Sequence, residues 1–389
     1  MAREDDEHKR LQLHGYIPGL DVLRGVAVGA VVVFHGFFNS GYPDDSLKPE
    51  AILVRLTDVG KQGVYLFFVL SGFLITSILL KQREKPDYYK NFYVRRALRI
   101  LPAYLLLLVV LKALGVVHWK FVLACLLFVN NMGKLLHTRT GEYGALWTLA
   151  VEEQFYIVWP TFVQRLRRGS SLIVVLLLGC VLAPLLRVVM TLRGISDYTF
   201  APTNMDMLLC GALCALLMER GVLHRGNIVR IYRRLFAVGL LLLAPYLYIE
   251  CFYRFTSLRV FSLWDAFGRY DLICIFVAGV LLAVERAQRP EAARRGPGAR
   301  FLVFLGYISY GLYLVHPLLF DVYDRLTSGH ALGQARTRFS MLLVRFVVVA
   351  LVSVLTAAVS RRYYEQLFLQ RKKQLAPYTG QSAATESIS

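Results

Sequence analysis

Residues 64–77 read VYLFFVLSGFLITS and sit inside an eighteen-residue stretch, 63–80, without a single charged side chain. A helix needs about 20 mostly apolar residues to cross the hydrocarbon core of a bilayer, so this stretch predicts a span over 59–80. Working outward, the same test marks 20–40, 98–117, 145–163, 171–190, 203–219, 235–251, 264–284, 301–322 and 339–360. One further apolar piece, 121–131 (FVLACLLFVNN), is too short to cross comfortably. The composition agrees. Of 389 residues 56% are hydrophobic and only 18% charged, where soluble domains carry about 25% charged residues. A soluble enzyme, a disordered chain and a collagen-like fibre are excluded.

The formal charge is +19, from 45 basic and 26 acidic residues. In a soluble protein that balance points to nucleic acid. In a membrane chain it points to basic cytoplasmic loops, and no nucleic-acid partner is expected. With the N-terminus cytoplasmic and 121–131 not crossing, 29 of the 45 basic residues fall on the cytoplasmic side. They lie in the N-terminal tail through Arg24 and in 81–99, 164–169, 220–234, 285–300 and 361–373. If 121–131 crossed, three strongly basic loops and the C-terminal tail would be external. The reading is therefore an all-α polytopic membrane protein of ten spans with both termini cytoplasmic, and 121–131 as a re-entrant or interfacial segment. The first run, 22–38, lacks an A-x-A site and is too long for a signal peptide, so it is retained. Residues 1–15 form a charged tail, 16–365 the membrane domain and 366–389 a C-terminal tail, polar and disordered after 374. The six cysteines form no CxxC and read as small apolar fillers; neither a metal site nor an internal repeat is visible.

Ionisable side chains within spans are costly and mark function by default. In LDVLRGVAVGAVVVFHGFF (20–38), Arg24 and His35 are eleven residues apart. That is about 20° from three full turns, placing them on one face with a rise of ~16.5 Å. An anion site and a proton acceptor then share a face, although an arginine can also snorkel to lipid phosphates. In NFYVRRALRILPAY, Arg96 and Arg99 stand at i and i+3 with Arg95 beside them. Two guanidinium forks at that spacing can grip phosphate oxygens; an ordinary stop-transfer cluster is the plain alternative. Pro102 reads as first-turn proline.

In GALWTLAVEEQFYIVWP, Glu152 and Glu153 are flanked by Trp147 and Trp159, which read as interface markers. Adjacent residues point about 100° apart, so at most one glutamate faces a given cavity. Its expected partner is His35 or an arginine. Ser71-Gly72 reads as a packing point, with the hydroxyl on its own i−4 carbonyl. Along LGYISYGLYLVHPLLF, Tyr307, Tyr310, Tyr313 and His316 recur every three residues as a polar stripe on one helix. Asp206 is expected to be half of a structural ion pair.

In this order the pieces resemble the acyltransferase-3 family of integral-membrane O-acyltransferases. The likeness runs over 16–365 through PGLDVLRG with His35, GVYLFFVLSGFLIT, FYVRRALRILPAY, LWTLAVEEQFYIVWP, LGYISYGLYLVHPLL and SRRYYEQ. The ordered set carries the resemblance, not any single motif. It implies ten helices in a bacterial inner membrane. It also implies transfer of an acyl group, acetyl foremost, from cytoplasmic acyl-CoA to a hydroxyl of a carbohydrate or polyketide, such as a cell-surface polysaccharide or its lipid-linked precursor. Acyl-CoA is then a substrate, and no permanently bound cofactor is implied. Arg24 and His35 match the family's basic-residue and histidine motif, Arg96 and Arg99 its arginine pair, and Glu152 or Glu153 its acidic motif. Asn204 stands where the pattern has arginine, and Gln366 where proline is common. Many relatives append a soluble esterase-like domain, which this chain is too short to include.

The implied roles are His35 as base, Glu152 or Glu153 orienting it, and Arg24, Arg96 and Arg99 on the donor phosphates. Tyr310, Tyr313 and His316 serve the substrate, with Tyr310, Tyr313 or an arginine as oxyanion donor. A covalent acyl-enzyme stays open, as do the acceptor and the oligomeric state. The rival reading is a secondary transporter or flippase for an anionic or lipid-linked sugar, which would show inverted repeats and broken helices.

Overall fold

A computed structural model describes residues 11, 16–43, 48–133, 143–166, 169–252, 259–289, 296–330 and 338–377. Most of the N-terminal tail, residues 378–389 and parts of the basic loops 164–169 and 285–300 fall outside these. Among the described residues the structure is helical, with no strand. In chain order the helices are α1 (Pro18–Gly36), α2 (Pro49–Leu56), α3 (Gly63–Gln82), α4 (Tyr88–Ala113), α5 (Trp119–Leu126), α6 (Trp147–Arg165), α7 (Gly169–Leu192) and α8 (Met205–Glu219). They continue as α9 (Ile228–Phe252), α10 (Arg259–Ala287), α11 (Pro297–Tyr307), α12 (Ser309–Thr327), α13 (Phe339–Val359), α14 (Gln366–Leu369) and α15 (Lys372–Leu375).

Five helical stretches are long and apolar enough to cross a membrane: Pro18–Ser40, Pro49–Gln82, Ser170–Leu192, Ala201–Glu219 and Phe339–Leu369. The bent pair α11 and α12 makes a sixth. The polar load of α4 and α6 is the site's own: Arg95, Arg96 and Arg99 on one, Glu152 and Glu153 on the other. Apolar side chains also face outward, with Val174, Leu178, Val181 and Leu182 of α7 and Val347, Leu351 and Leu355 of α13 exposed. A water-facing surface would not carry such continuous apolar stripes. This is an integral membrane protein.

Helices pack closely where glycine removes the side chain. A Cβ on Gly72 would collide with the Leu208 carbonyl, and one on Gly25 with the Leu302 carbonyl. These crossings join α3 to α8 and α1 to α11 at backbone contact, the small-residue packing that replaces a hydrophobic driving force in lipid. Two deep arginines are paired with carboxylates. Arg187 and Asp206 meet at 2.7 Å with neither exposed, as expected for Asp206, although Arg187 escaped notice in the sequence. Arg345 grips Asp324 through two nitrogens at 2.7 and 2.9 Å and donates to the Gly36 carbonyl at the end of α1.

Four expectations need correction. The stretch 301–322 is not one helix: α11 and α12 meet at Ile308 with a 78° bend, and Tyr307 leaves the stripe to lie under Arg361 instead. Pro102 sits inside α4, which starts at Tyr88. Trp147 and Trp159 are core residues, and the Trp159 indole donates to Thr76 Oγ1 at 2.8 Å, so its N–H finds an internal acceptor. The chain is tied down just past 374, where Arg95 Nε donates to the Ala376 carbonyl at 2.7 Å and joins the end of α15 to α4; the rest of that tail lies outside the described residues.

Candidate acyl-transfer site

Two cavities lie along one face of α1. The first, of about 110 Å3, is lined by Arg24 of α1, Ser71 of α3, Arg96 and Arg99 of α4, Glu152 and Tyr156 of α6, and Tyr310 of α12, among others. The second, of about 330 Å3, contains His35, Lys61, Asn130, Tyr143, Trp147 and Tyr198 in its wall. Val64 and Tyr313 line both. The ~16.5 Å rise between Arg24 and His35 therefore connects an arginine-rich cavity with a histidine-bearing one, and Tyr313 stands between them.

The bend at Ile308 makes this arrangement possible. It turns α12 so that Ser309, Tyr310 and Tyr313 face α4 and α6. The Tyr310 hydroxyl donates to the Ile100 carbonyl at 2.7 Å. Tyr313 bonds the Thr148 hydroxyl at 2.8 Å and donates to the Ala145 carbonyl at 3.0 Å. Both phenol protons are engaged in this state, so neither tyrosine offers the free oxyanion donor expected of it.

Arg96 and Arg99 do line one cavity, as their spacing predicts. Arg24 joins them, held by Asp21 at 2.9 Å. Of the adjacent glutamates, Glu152 faces the arginine cavity; its two oxygens accept from Ser71 at 2.7 Å and Tyr156 at 3.3 Å. Glu153 lines neither cavity, and its buried Oε1 has no hydrogen-bond partner. Of the Ser71-Gly72 pair, Gly72 is the packing point, as expected, while the Ser71 hydroxyl turns from its own i−4 carbonyl to Glu152 and lines the cavity. The sequence signal for it was its place in an otherwise apolar run; Tyr156, four residues after Glu152, was likewise legible as an i+4 partner.

Neither glutamate orients His35. Its Nδ1 contacts the Val31 carbonyl at 3.0 Å and His316 Nε2 at 3.3 Å, and the two rings meet edge to face with centroids 5.0 Å apart. A carbonyl only accepts, so the Val31 contact puts the proton on His35 Nδ1. His316 Nδ1 faces the Leu312 carbonyl at 2.9 Å and is protonated for the same reason, which leaves its Nε2 as the acceptor. His35 Nε2 is then the nitrogen with a lone pair. His316 is fully buried and lines neither cavity, so it holds His35 rather than touching a substrate.

Asn204, which departs from the family pattern, accepts from Arg269 of α10 at 3.0 Å. Arg269 also pairs with Asp197 at 3.0 Å and lies over the Tyr65 ring. A guanidinium is present here, brought by another helix.

Residues 17–362 match the acyltransferase domain family. The chain belongs to that family. It is 28% identical over 326 residues to the peptidoglycan O-acetyltransferase OatA of Listeria monocytogenes, covering 77% of this chain and 49% of that protein. A putative peptidoglycan O-acetyltransferase of Bacillus subtilis, YrhL, is 36% identical over 178 residues, 40% of this chain and 25% of that one. A putative O-acetyltransferase of Staphylococcus aureus strain COL is 27% identical over 379 residues, 91% of this chain and 57% of the relative. The chain thus spans about half the length, or less, of these curated relatives. No solved structure matches it.

Proposed function

We propose that this protein is an O-acetyltransferase that takes an acetyl group from cytoplasmic acetyl-CoA and delivers it to a carbohydrate hydroxyl on the other side of the inner membrane. One observation carries the reading: the arginine cavity and the histidine cavity meet at Tyr313 along a single face of α1. The donor phosphates bind Arg24, Arg96 and Arg99, and the extended arm carries the thioester toward His35. His35 Nε2 accepts the proton of the acceptor hydroxyl as its oxygen attacks the thioester carbonyl. The carbon–sulfur bond breaks, and the departing thiolate takes that proton from the imidazolium to give free CoA. Cell-wall or surface polysaccharide is the acceptor class, supported by the names of the relatives. The topology is ten spans, with α11 and α12 together as the ninth, both termini cytoplasmic, and α5 overlapping the interfacial segment 121–131. The 29-to-16 partition of basic residues supports that orientation.

The test is purified protein in nanodiscs supplied with labelled acetyl-CoA and a soluble peptidoglycan or polysaccharide fragment. Acceptor-dependent CoA release and ester formation are expected. Uptake of an unmodified lipid-linked sugar without CoA release would favour the transporter reading instead.

A further inference from the structure

Four polar side chains in the wall of the His35 cavity are engaged within the protein. Lys61 Nζ pairs with Asp58 at 2.7 Å. The Tyr143 hydroxyl donates to the Leu314 carbonyl at 2.7 Å and accepts from the Leu318 N–H at 3.0 Å. Thr199 Oγ1 donates to the Asn131 carbonyl at 2.8 Å, and Tyr313 is held by Thr148 and the Ala145 carbonyl.

Three others in the same wall are not engaged. Asn130 is 6% exposed, and its Oδ1 has no hydrogen-bond partner. The Trp147 indole N–H and the Tyr198 hydroxyl make no hydrogen bond among the described residues. Buried polar groups in native chains are nearly all satisfied, so an unpaired amide in a cavity wall calls for a ligand. The backbone on either side keeps it there. Gln154 Nε2 donates to the Phe128 carbonyl at 2.7 Å and to Asn131 Oδ1 at 3.0 Å. Phe128 itself sits at a φ of 54°, a left-handed conformation uncommon for a bulky residue and retained where the surroundings enforce it.

The apolar part of the wall has a matching shape. The Trp147 and Tyr198 rings meet with centroids 5.0 Å apart and planes inclined by 51°, forming a corner. Phe68 backs Trp147 edge to face, and Tyr198 remains 36% exposed. Each ring offers an apolar face with a polar tip. At about 330 Å3 the cavity falls in the range of roughly 300–1,000 Å3 usual for small-molecule sites. A pyranose suits it, with C–H faces for the rings and hydroxyls on its rim for the three unengaged groups. A long-chain alcohol would cover the apolar area and leave those groups unpaired.

We propose that Asn130, Trp147 and Tyr198 form a sugar-ring subsite in the cavity of His35. The ring rests in the aromatic corner, and the Asn130 amide bonds its hydroxyl or acetamido groups. Either end of the amide serves, because a half-turn exchanges its oxygen and nitrogen. All three are binding residues. That the bound ring is the acetyl acceptor rests on the transfer reading above; the sugar subsite itself does not.

The experiment measures binding of a soluble peptidoglycan disaccharide and, separately, of cellotetraose to the full-length protein in nanodiscs without donor. Ester formation on each glycan and on a long-chain alcohol is then measured with acetyl-CoA present. Wild type should bind at least one glycan saturably. Asn130→Leu should weaken that binding by about 2- to 12-fold, the worth of one neutral hydrogen bond. It should also hold or raise the thermal midpoint, since the amide has no internal partner to lose; a structural asparagine would lower it. Trp147→Phe and Tyr198→Phe should each weaken glycan binding to a similar degree, and Tyr198→Leu, which loses the ring face, further. Acetyl-CoA affinity should hold throughout. Glycan binding that weakens in this way, with no ester on any acceptor, would keep the sugar subsite and remove the transfer reading. Unchanged glycan affinity in Asn130→Leu, Trp147→Phe and Tyr198→Leu would overturn the proposal. So would a wild type that binds neither glycan, or one that acetylates the long-chain alcohol in preference to both.

Discussion

His316 Nε2 accepts a hydrogen bond from Nδ1 of His35 across 3.3 Å, joining α12 to α1 through two imidazoles. The relationship assigns the proton to His35 Nδ1 and the lone pair to Nε2. On the proposed function His35 is the base, and a second imidazole holds it where many active sites use a carboxylate. His35→Ala and His35→Gln should each lower transfer by at least about 10²–10⁴-fold, the usual worth of a general base. His316→Ala should lower kcat with little change in donor KM, whereas His316→Gln, which keeps an acceptor in reach, should recover part of the loss. A His35→Gln protein with most of its activity would make the residue a structural hydrogen-bonder.

Arg96 and Arg99 face the cavity rather than lipid. Replacing either by Ala should raise the KM for acetyl-CoA while insertion stays normal. Lys should restore only part, since an ammonium lacks the planar two-point grip. Donor titrations of the purified variants check this.

Tyr313 closes the passage with bonds to Thr148 and the Ala145 carbonyl. Tyr313→Phe removes both, each worth about 0.5–1.5 kcal/mol, and should loosen the partition between the cavities. The expected outcome is a several-fold rise in acetyl-CoA hydrolysis without acceptor, measured as free thiol.

Lys372 gives a pH signature. Its ammonium titrates near 7 in the free protein and near 10.4 in an unfolded chain. Between those values the unfolded state holds more protons, so this group's contribution makes the fold more stable as pH rises from 7 toward 10. Thermal midpoints measured from pH 7 to 9 should therefore rise for wild type relative to Lys372→Met, which has no such group to titrate.

The buried pair of Arg187 and Asp206 predicts a stability effect without a catalytic one. Arg187→Met leaves Asp206 uncompensated and should cost about 3–5 kcal/mol. The double variant Arg187→Met, Asp206→Leu should recover much of the lost thermal midpoint.

Five of the spans, a sixth as a bent pair, and the arginine pair were legible because hydropathy and helical spacing are local properties. Arg24 and His35 could be placed on one face from the eleven-residue interval alone. What escaped the sequence depends on contacts between distant segments. The partner of His35 comes from 281 residues away, and spacing on one helix cannot distinguish it from a glutamate. The bend at Ile308 carries no proline and no glycine at its centre, so Tyr307 was counted in a stripe it leaves. Lys372 looked like one more solvated charge in a basic tail, because only the return of the chain onto α4 buries it.

On the proposed function, one membrane domain carries an acetyl group from the arginine cavity to a hydroxyl at the His35 cavity. Sealed proteoliposomes test this, with labelled acetyl-CoA supplied only on the side of the 81–95 and 285–300 loops and the acceptor glycan only on the other. Labelled ester should form on the glycan with wild type and not with His35→Ala, although both bind acetyl-CoA. Labelled ester that forms only when donor and acceptor share a side, or that persists in His35→Ala, would contradict it.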